Sequence, residues 1–221
     1  MSYRKLSILF NSSLFFCLLF LSLNAFSNEV KGDIHFVLNN SVKIEIPYGW
    51  TIRNKSEIAG IKEASSNLLN QKIDSITSLA ADTRYDNYYM STRVSFRKQN
   101  NYYSQSDFET ELNLYGYDSY LREQTIEVKQ DFKKLKNSMI SIGADLDLEG
   151  LKCSIGNIAG RTDFVIQYNR TEPYLPNNII YVEQNHIFNG AEAIIITFSY
   201  DRKCSYCKQV ISKIRNSIHF L

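Results

Sequence analysis

The sequence predicts an α+β fold in which a mostly antiparallel sheet carries helices packed on both faces. The C-terminal half contains four apolar, strand-like segments separated by short turns. Amphipathic helical patterns precede this half, at residues 58–81 and 118–142, and another follows it at 204–220. Helices that flank a run of antiparallel strands, rather than alternating with single strands, favour the α+β class.

Residues 1–27 are predicted to be a secretory signal peptide. Arg4 and Lys5 form a basic start, residues 14–21 form an apolar core, and small residues provide a cleavage site. The core is shorter than the roughly 20 residues of a membrane-spanning helix, and an uncleaved anchor is the alternative. We therefore expect an exported single domain at 28–221, periplasmic if the source is Gram-negative and secreted otherwise.

Charge and composition argue against several classes of partner. The chain has 25 basic and 23 acidic residues, and the predicted signal carries two of the basic ones, which leaves 23 of each sign. A formally neutral chain is unlike a protein that binds nucleic acid. No segment after the signal has the length and hydropathy of a membrane-spanning helix.

The first half of the chain is predicted to begin with a hairpin, whose second strand alternates apolar and polar residues. Apolar residues three and four apart then predict a helix. The predicted elements, in order, are strands at 34–38 and 42–46, a turn at 47–50, a helix at 58–81, a loop at 82–89 and a strand at 91–98.

Two further helices are predicted before the C-terminal strands. Ser106 and Glu109 match a capping box, and Gly116 is placed to end a short helix. Asp118 is predicted to cap a longer helix that runs to Gly143. One face of this helix is predicted to pack on the sheet through Leu121, Val128, Phe132, Leu135, Met139 and Ile142.

The C-terminal half is predicted to be a meander that ends in a helix. Asn189-Gly190 is a strong signal for a two-residue hairpin turn. The run 194–196 is apolar on both faces, which predicts a central strand. The predicted elements are strands at 152–158, 161–170, 179–188 and 191–200, followed by the helix at 204–220.

This order of elements resembles the PsbP-like fold, which is shared by the extrinsic PsbP subunit of photosystem II, a small nuclear Ran-binding protein and many secreted bacterial proteins. The resemblance covers nearly all of the chain after the signal and implies an α/β/α sandwich. Because members of the group mostly dock onto other proteins, it also implies a binding or accessory role, with no site residue carried over. The matching features are Ile46-Pro47-Tyr48-Gly49-Trp50, the strand 91–98, Gly160-Arg161 opening a strand that ends at Arg170, the strand 196–200 and the helix end 214–218.

Three cysteines, Cys153, Cys204 and Cys207, remain after the signal. In an oxidising compartment, three permit one disulfide and one thiol, or a bridge to a partner chain. Cys204 and Cys207 also form a Cys-x-x-Cys motif at a helix start, where the helix dipole lowers a thiol pKa. A thioredoxin-type enzyme needs more chain after this helix, including a cis-proline, so we expect a structural disulfide, either between Cys204 and Cys207 or from Cys153 to one of them. A thiol–disulfide protein that uses Cys204 and Cys207 is the alternative.

Tyrosine is concentrated in one stretch, because eight of the fifteen lie between residues 85 and 120. Tyrosine is enriched at protein interfaces, where it supplies a large contact area at low entropic cost. The alternative is that these rings shield the edges of helices and of the sheet. The candidates for contact with a partner are Tyr88, Tyr89, Tyr102, Tyr103, Tyr117 and Arg93.

No catalytic, cofactor or metal motif is recognised in the sequence. His35, His186 and His219 are scattered, and neither a nucleophile elbow nor a glycine-rich phosphate loop is present. The acidic run at 145–149 is predicted to be a charged edge strand rather than a calcium loop. We therefore expect a non-enzymatic, exported protein, without cofactor or metal, that binds a protein partner as an immunity-type inhibitor or an accessory subunit of a complex.

Overall fold

Two antiparallel sheets and four helices form the fold in the computed structural model, which describes residues 31–69, 75–172 and 175–221. The signal peptide predicted at 1–27 lies outside the described residues. The strands are β1 (Gly32–Val37), β2 (Val42–Pro47), β3 (Thr51–Ile52), β4 (Ser75–Tyr85), β5 (Tyr88–Tyr103), β6 (Leu146–Ile158), β7 (Arg161–Glu172), β8 (Leu175–Asp201) and β9 (His219–Phe220). The helices are α1 (Lys55–Leu69), α2 (Gln105–Tyr115), α3 (Tyr117–Ile140) and α4 (Ser205–Asn216).

The small sheet has the order β1-β2-β9, and the large sheet has the order β3-β4-β5-β8-β7-β6. β1 and β2 form the predicted hairpin, which Val37 and Val42 close. In its turn, Asn39 and Asn40 have φ angles of 55° and 66°, a left-handed conformation that asparagine tolerates. Gly49, at φ 83°, then lies in the predicted turn before β3.

The second half of the helix predicted at 58–81 is wrong. α1 ends at Leu69, residues 70–74 lie outside the described ranges, and 75–85 form β4. The register of β4 against β5 shifts by one residue between Thr77 and Leu79, so that Ile76 and Leu79 lie on the same face of the sheet. Because of the bulge, apolar residues three apart lie on one face of the strand, and the same spacing is expected of a helix.

The loop predicted at 82–89 is also wrong, because it is a tight hairpin between β4 and β5. Tyr85 pairs with Tyr88, and only Asp86 and Asn87 lie outside the strands. Both turn residues have positive φ angles, 47° and 72°, as a type I′ turn requires. The strand predicted at 91–98 is confirmed as part of β5.

Helix α2 begins two residues before its predicted capping box. Ser104 is the cap: its hydroxyl accepts from the Asp107 amide at 3.2 Å, and the Asp107 carboxylate accepts from the Ser104 amide at 2.7 Å. Gly116 ends α2 as predicted, since its amide donates to the Leu112 carbonyl. Asp118 is not a cap, because Gly116 already occupies the cap position of α3.

Strand β8 turns back on itself near Gly190, which has a φ angle of 73°. In one extended strand, Ile179 and Arg202 would be roughly 75 Å apart, yet the Arg202 amide donates to the Ile179 carbonyl at 2.8 Å. The arm before the turn pairs with β7 and the arm after it pairs with β5. The predicted hairpin is therefore confirmed, although only Gly190 of the predicted turn residues has a positive φ angle, and the apolar run 194–196 lies inside the sheet.

The other parts of the C-terminal prediction hold, with shifted boundaries. β6 and β7 meet at Ala159-Gly160, where both residues have positive φ. Between the strands predicted at 161–170 and 179–188, residues 173 and 174 lie outside the described ranges, and β8 has begun by Leu175. The final helix ends at Asn216, earlier than predicted, because His219 and Phe220 leave it to pair with β2.

Two hydrophobic cores lie on opposite faces of the large sheet. The first core lies under α4 and the small sheet and includes Val94, Ile196, Phe198 and Ile214. The second core lies under α2 and α3 and includes Phe108, Leu112 and Tyr168. The predicted seam of α3 packs on this second core, except for Ile142, which lies beyond the helix and is exposed. The predicted α+β class, with helices on both faces, is confirmed.

Within the described ranges, no helix combines the length and the apolar composition that crossing a bilayer requires.

Candidate functional site

The structure does not bring the six sequence-predicted contact residues into one patch. Tyr88 and Tyr89 are neighbours in β5, so their side chains point to opposite faces of the sheet. Tyr88 packs against the first core and Tyr89 against the second. Tyr103 also packs in the second core, where its hydroxyl donates to Glu111 at 2.6 Å. These three tyrosines serve packing, and their contact with a partner stays a prediction.

Of the remaining candidates, Tyr102 and Tyr117 are exposed by 77% and 52%, and Arg93 is exposed beside α1. Tyr117 belongs to a cluster that we name the α2–α3 corner, which also contains Leu114 and Tyr115. These two are exposed by 72% and 62%. The α-carbons of residues 114 and 117 lie at most about 11 Å apart along the chain. The corner is therefore a group of three exposed apolar side chains that lie close together in the chain.

The amphipathic pattern of α2 explains why the corner is exposed. Phe108 and Leu112 lie one turn apart and are fully buried in the second core. Leu114 lies about 200° around the helix from Leu112, at 100° per residue, so it faces away from that core. Gly116 separates the two helices with φ 75° and ψ 147°, a conformation open to glycine alone. The tyrosine count pointed to this region, but Leu114 was missed because a single leucine carries no signal of exposure.

Cys204 and Cys207 form a disulfide at the start of α4, with their α-carbons 5.2 Å apart. Both residues are buried, and the Cys204 sulfur accepts from the Cys207 amide at 3.0 Å, which caps the helix. Cys153 is a free, half-buried thiol in β6 that packs on the second core. The sheet therefore separates it from the disulfide, which belongs to the first core. Burial raises the pKa of the Cys153 thiol, which lowers its reactivity.

A groove of about 730 Å³ lies between α4 and the strands β6, β7 and β8. Its floor contains the Tyr181 and Tyr200 rings, whose centroids are 5.1 Å apart, together with Phe198. Two carboxylates, Asp147 and Glu183, also line it. The basic side chains that line the groove are Lys152, Arg202, Lys203, Lys208 and Arg215. The groove therefore combines an aromatic floor with an excess of positive charge.

Glu183 organises the floor of the groove. Its carboxylate is mostly buried and pairs with Arg215 of α4 at 2.5 Å. It also accepts hydrogen bonds from the Gln167 amide at 3.1 Å and the Tyr181 hydroxyl at 3.2 Å. Burial, together with the Glu183 charge, raises the pKa of Tyr181. Both oxygens of the Glu183 carboxylate are therefore engaged by neighbouring side chains, which indicates a structural role.

Asp163 in β7 is a second buried carboxylate, and neither of its oxygens has a hydrogen-bond partner in the described chain. Gly156 leaves room for it, since a side-chain carbon there would lie 2.6 Å from the Asp163 Oδ1. Burial raises the pKa of Asp163 to about 6, while the Arg215 charge lowers it and the Glu183 charge raises it further. At neutral pH the site therefore holds an unpaired buried charge.

His186 does not form an acid–base pair with Asp163. It pairs in register with Phe164, which follows Asp163 and faces the second core, so the two titratable groups lie on opposite faces of the sheet. Burial, and to a lesser extent the Arg97 charge, lowers the pKa of His186 to about 4. The histidine is therefore neutral at physiological pH.

In the described ranges, no three His, Cys, Asp or Glu side chains are grouped so that they could hold a metal ion. The acidic residues at 145–149 lie on β6, at the edge of the large sheet, and just before it. Two of them bind other residues of this chain. Asp145 pairs with Lys136 at 2.8 Å, and Asp147 accepts from the Gly150 amide at 2.8 Å. Hydrogen bonds from these partners lower the pKa of both carboxylates.

No protein-family model matches the sequence, and no curated protein matches it. Among solved structures, the chain is similar to the solution structure of cyanobacterial PsbP (CyanoP) from Synechocystis sp. PCC 6803. The two share 10% sequence identity at a TM-score of 0.51, over 89% of this chain and 96% of that one. A Bacteroides thetaiotaomicron protein matches with 10% identity over 86% of this chain and 49% of that one. Its TM-score is 0.38, which is too low to carry an argument. At this identity the likeness to CyanoP shows the fold alone: the chain has a PsbP-like fold, as the sequence resemblance predicted.

Proposed function

We propose that this protein is an exported, non-enzymatic accessory protein that binds a protein partner through the α2–α3 corner. The observation that carries the proposal is the exposure of three apolar side chains close together in the chain, Leu114, Tyr115 and Tyr117. Contiguous exposed apolar side chains mark interaction sites, whereas single ones are ordinary. The resemblance to a group of docking proteins supports the same role.

The corner has the properties of a binding hot spot. An aromatic side chain buries about 150–250 Å² when it is covered, at roughly 25 cal/mol per Å². Two tyrosines and a leucine therefore offer several kcal/mol before the costs of association. Gly116, with φ 75° and ψ 147°, lies between α2 and α3, so the three side chains flank the junction of the two helices. In this proposal Tyr102 lies outside the corner as a separate candidate contact, and so does Arg93.

Export of the protein is also a proposal, with residues 1–27 as the signal and 28–221 as one domain. The Cys204–Cys207 disulfide is compatible with an oxidising compartment. In a Gram-negative source the protein would be periplasmic, as an immunity-type inhibitor or an accessory subunit of a complex. In another source it would be secreted.

The disulfide fits a structural role better than a redox role. An attacking cysteine must present its sulfur to a substrate, whereas Cys204 and Cys207 are exposed by only 5% and 0%. We therefore propose that the pair is a staple at the start of α4. If Cys204 were the attacking thiol, the reduced protein would accelerate insulin disulfide reduction relative to Cys204→Ser.

The test is affinity capture from the native exported fraction with the tagged protein, followed by mass spectrometry. A corner variant carries Leu114→Ser, Tyr115→Ser and Tyr117→Ser. A matched control removes one aliphatic and two aromatic exposed side chains on the opposite face, with Ile34→Ser, Phe36→Ser and Tyr48→Ser.

We expect the unmodified protein and the control variant to retain one partner that the corner variant loses. The purified partner should then rebind with the same ranking in a calorimetric titration. Equal binding by the corner variant would refute the corner as the docking surface. Near-ultraviolet circular dichroism of both variants verifies that the fold is kept.

A further inference from the structure

We propose that the groove beside α4 binds a small organic anion. The phosphate or carboxylate group of this ligand would lie where α4 begins, and its aromatic ring would lie against Tyr181 and Tyr200. This site is separate from the α2–α3 corner, because α4 and α2 pack on opposite faces of the sheet. The proposal therefore stands or falls independently of the partner surface.

The first turn of α4 contains backbone amides that donate no hydrogen bond to another described residue. The Cys207 amide is capped by the Cys204 sulfur, whereas the amides of Ser205 and Tyr206 have no acceptor in the described ranges. Ser205 lines the groove, and the first turn of this twelve-residue helix contains no acidic residue. Free amides and the helix dipole at such a terminus favour an anion.

The Tyr200 hydroxyl is a second, independent indication of a ligand. Tyr200 lines the groove and is only 9% exposed, yet its hydroxyl has no hydrogen-bond partner among the described residues. The hydroxyl oxygen is not among the enclosed unpaired atoms of the described chain, so it is open to the groove. Burial and the Glu183 charge raise the pKa of this phenol, so it remains a neutral O–H donor at physiological pH. A ligand oxygen in the groove would satisfy it.

The charges on the walls of the groove add to these donors. Lys152, Arg202, Lys203 and Lys208 line the groove and form no ion pair with another described residue. Two carboxylates oppose them: Glu183 is neutralised by Arg215, and Asp147 is held by Gly150 and Asn169. Because the chain without its predicted signal is formally neutral, this positive excess is a local feature.

The size and floor of the groove indicate what carries the anionic group. A volume of about 730 Å³ lies within the range of small-molecule sites and is far larger than one inorganic ion. The Tyr181 and Tyr200 rings present a tilted aromatic surface, with Phe198 also in the lining. Aromatic surfaces favour flat apolar partners over fully hydrated ions. An aryl phosphate or aryl carboxylate therefore fits better than free phosphate.

The test is a calorimetric titration of the purified protein with phenyl phosphate, benzoate, inorganic phosphate and benzyl alcohol at low salt. We expect saturable binding of phenyl phosphate or benzoate, at least tenfold tighter than binding of either inorganic phosphate or the neutral alcohol. Tyr200→Phe, which keeps the ring, should weaken binding about fivefold, as loss of one hydrogen bond does. Lys208→Gln should also weaken it, while Lys134→Gln, on the exposed side of α3, should not.

The proposal is overturned if neither aryl anion saturates at millimolar concentration, or if Tyr200→Phe and Lys208→Gln both bind as tightly as the unmodified protein. It is also overturned if an acidic peptide such as hexaglutamate binds and the aryl anions do not, because the groove would then serve a polypeptide. If Tyr200→Phe fails to fold, the exposed Lys208 variant still decides the outcome.

Discussion

Arg215 of α4 and Glu183 of β8 form the ion pair that ties the last helix to the large sheet, with 2.5 Å between the Arg215 Nη1 and the Glu183 Oε1. Their side chains are exposed by 28% and 12%. Arg215 also reaches the Asn185 side chain at 3.3 Å, so one guanidinium contacts two neighbours on the same face of β8. Loss of the cation would leave a mostly buried carboxylate.

Arg215→Met, which keeps the aliphatic stem, should lower the free energy of unfolding by about 1–3 kcal/mol. Breaking a fully buried pair costs more, and partial exposure reduces the cost. Urea unfolding measures the change. Arg202→Met is the matched control, because Arg202 is exposed and unpaired in the described chain, and it should change stability by less than about 0.5 kcal/mol. Equal effects of the two substitutions would show that the ion pair does not stabilise the fold.

Gly116→Ala should destabilise the protein by about 1–3 kcal/mol, because φ 75° with ψ 147° is accessible to glycine alone. No atom lies within 4 Å of the added carbon, so the whole cost is backbone strain. Gly116→Asn should not recover the loss, since asparagine tolerates the left-handed helical region but not this one. Gly60→Ala in α1 is the control, with equally open space and no positive φ. It should stabilise the helix by about 0.5–1 kcal/mol in the same thermal melts.

The two buried titratable groups should shift stability in opposite directions on acidification. The folded-state pKa of Asp163 is raised to about 6 from 3.8, so its unfavourable contribution is complete above about pH 6 and disappears as pH falls towards 4. The folded-state pKa of His186 is lowered to about 4 from 6.5, so its favourable contribution is lost as pH falls from about 6.5 to 4. The two effects should largely cancel between pH 6 and 4.

Asp163→Asn should remove the contribution of Asp163 to the pH dependence of stability and leave that of His186. The variant should be more stable than the unmodified protein by about 1–3 kcal/mol at pH 7.5, since it no longer buries an unpaired charge. Its stability should then fall on acidification from pH 6.5 to 4, because the His186 contribution is no longer offset by that of Asp163. Urea unfolding at half-unit pH intervals measures both effects. A variant with the unmodified protein's stability and pH profile would contradict the assignment of a raised pKa to Asp163.

Denatured protein without residues 1–27 should contain one reactive thiol before reduction and three after it. Cys153 is the free thiol, and Cys204 and Cys207 are bridged. In the folded protein Cys153 should react slowly, since it is half-buried and its pKa is raised. Removal of the disulfide in a Cys204→Ser, Cys207→Ser variant should cost about 2 kcal/mol, because the closed loop is short. Three reactive thiols before reduction would refute the bridge.

Much of the fold could be predicted from the sequence because its local signals agree with its tertiary contacts. Gly190 supplies the positive φ angle of the β8 hairpin, and the run 194–196 is apolar on both faces because its strand is central. The errors arose where local pattern and pairing conflict. The bulge between Thr77 and Leu79 gives the apolar residues of β4 the spacing of a helix, although pairing with β5 makes the segment a strand.

The candidate sites were harder to predict, for physical reasons. Tyr88 and Tyr89 are adjacent in the sequence but lie on opposite faces, so a count of tyrosines cannot separate packing from contact. The groove is assembled from residues far apart in the chain: Lys152, Glu183 and Arg215 come from β6, β8 and α4. No local motif marks such a site, and only the sheet order brings these residues together.

The place of β2 between β1 and β9 has a consequence for how the chain acquires its structure during synthesis. The β1–β2 hairpin can form as soon as it has been made, but its other edge awaits Phe220, which pairs with Val42. Synthesis runs from the N-terminus, so the small sheet stays open at that edge until residues 219–220 emerge. Pairing over such a sequence separation is slow. The nascent chain therefore cannot complete the small sheet before residues 219–220 have been synthesised.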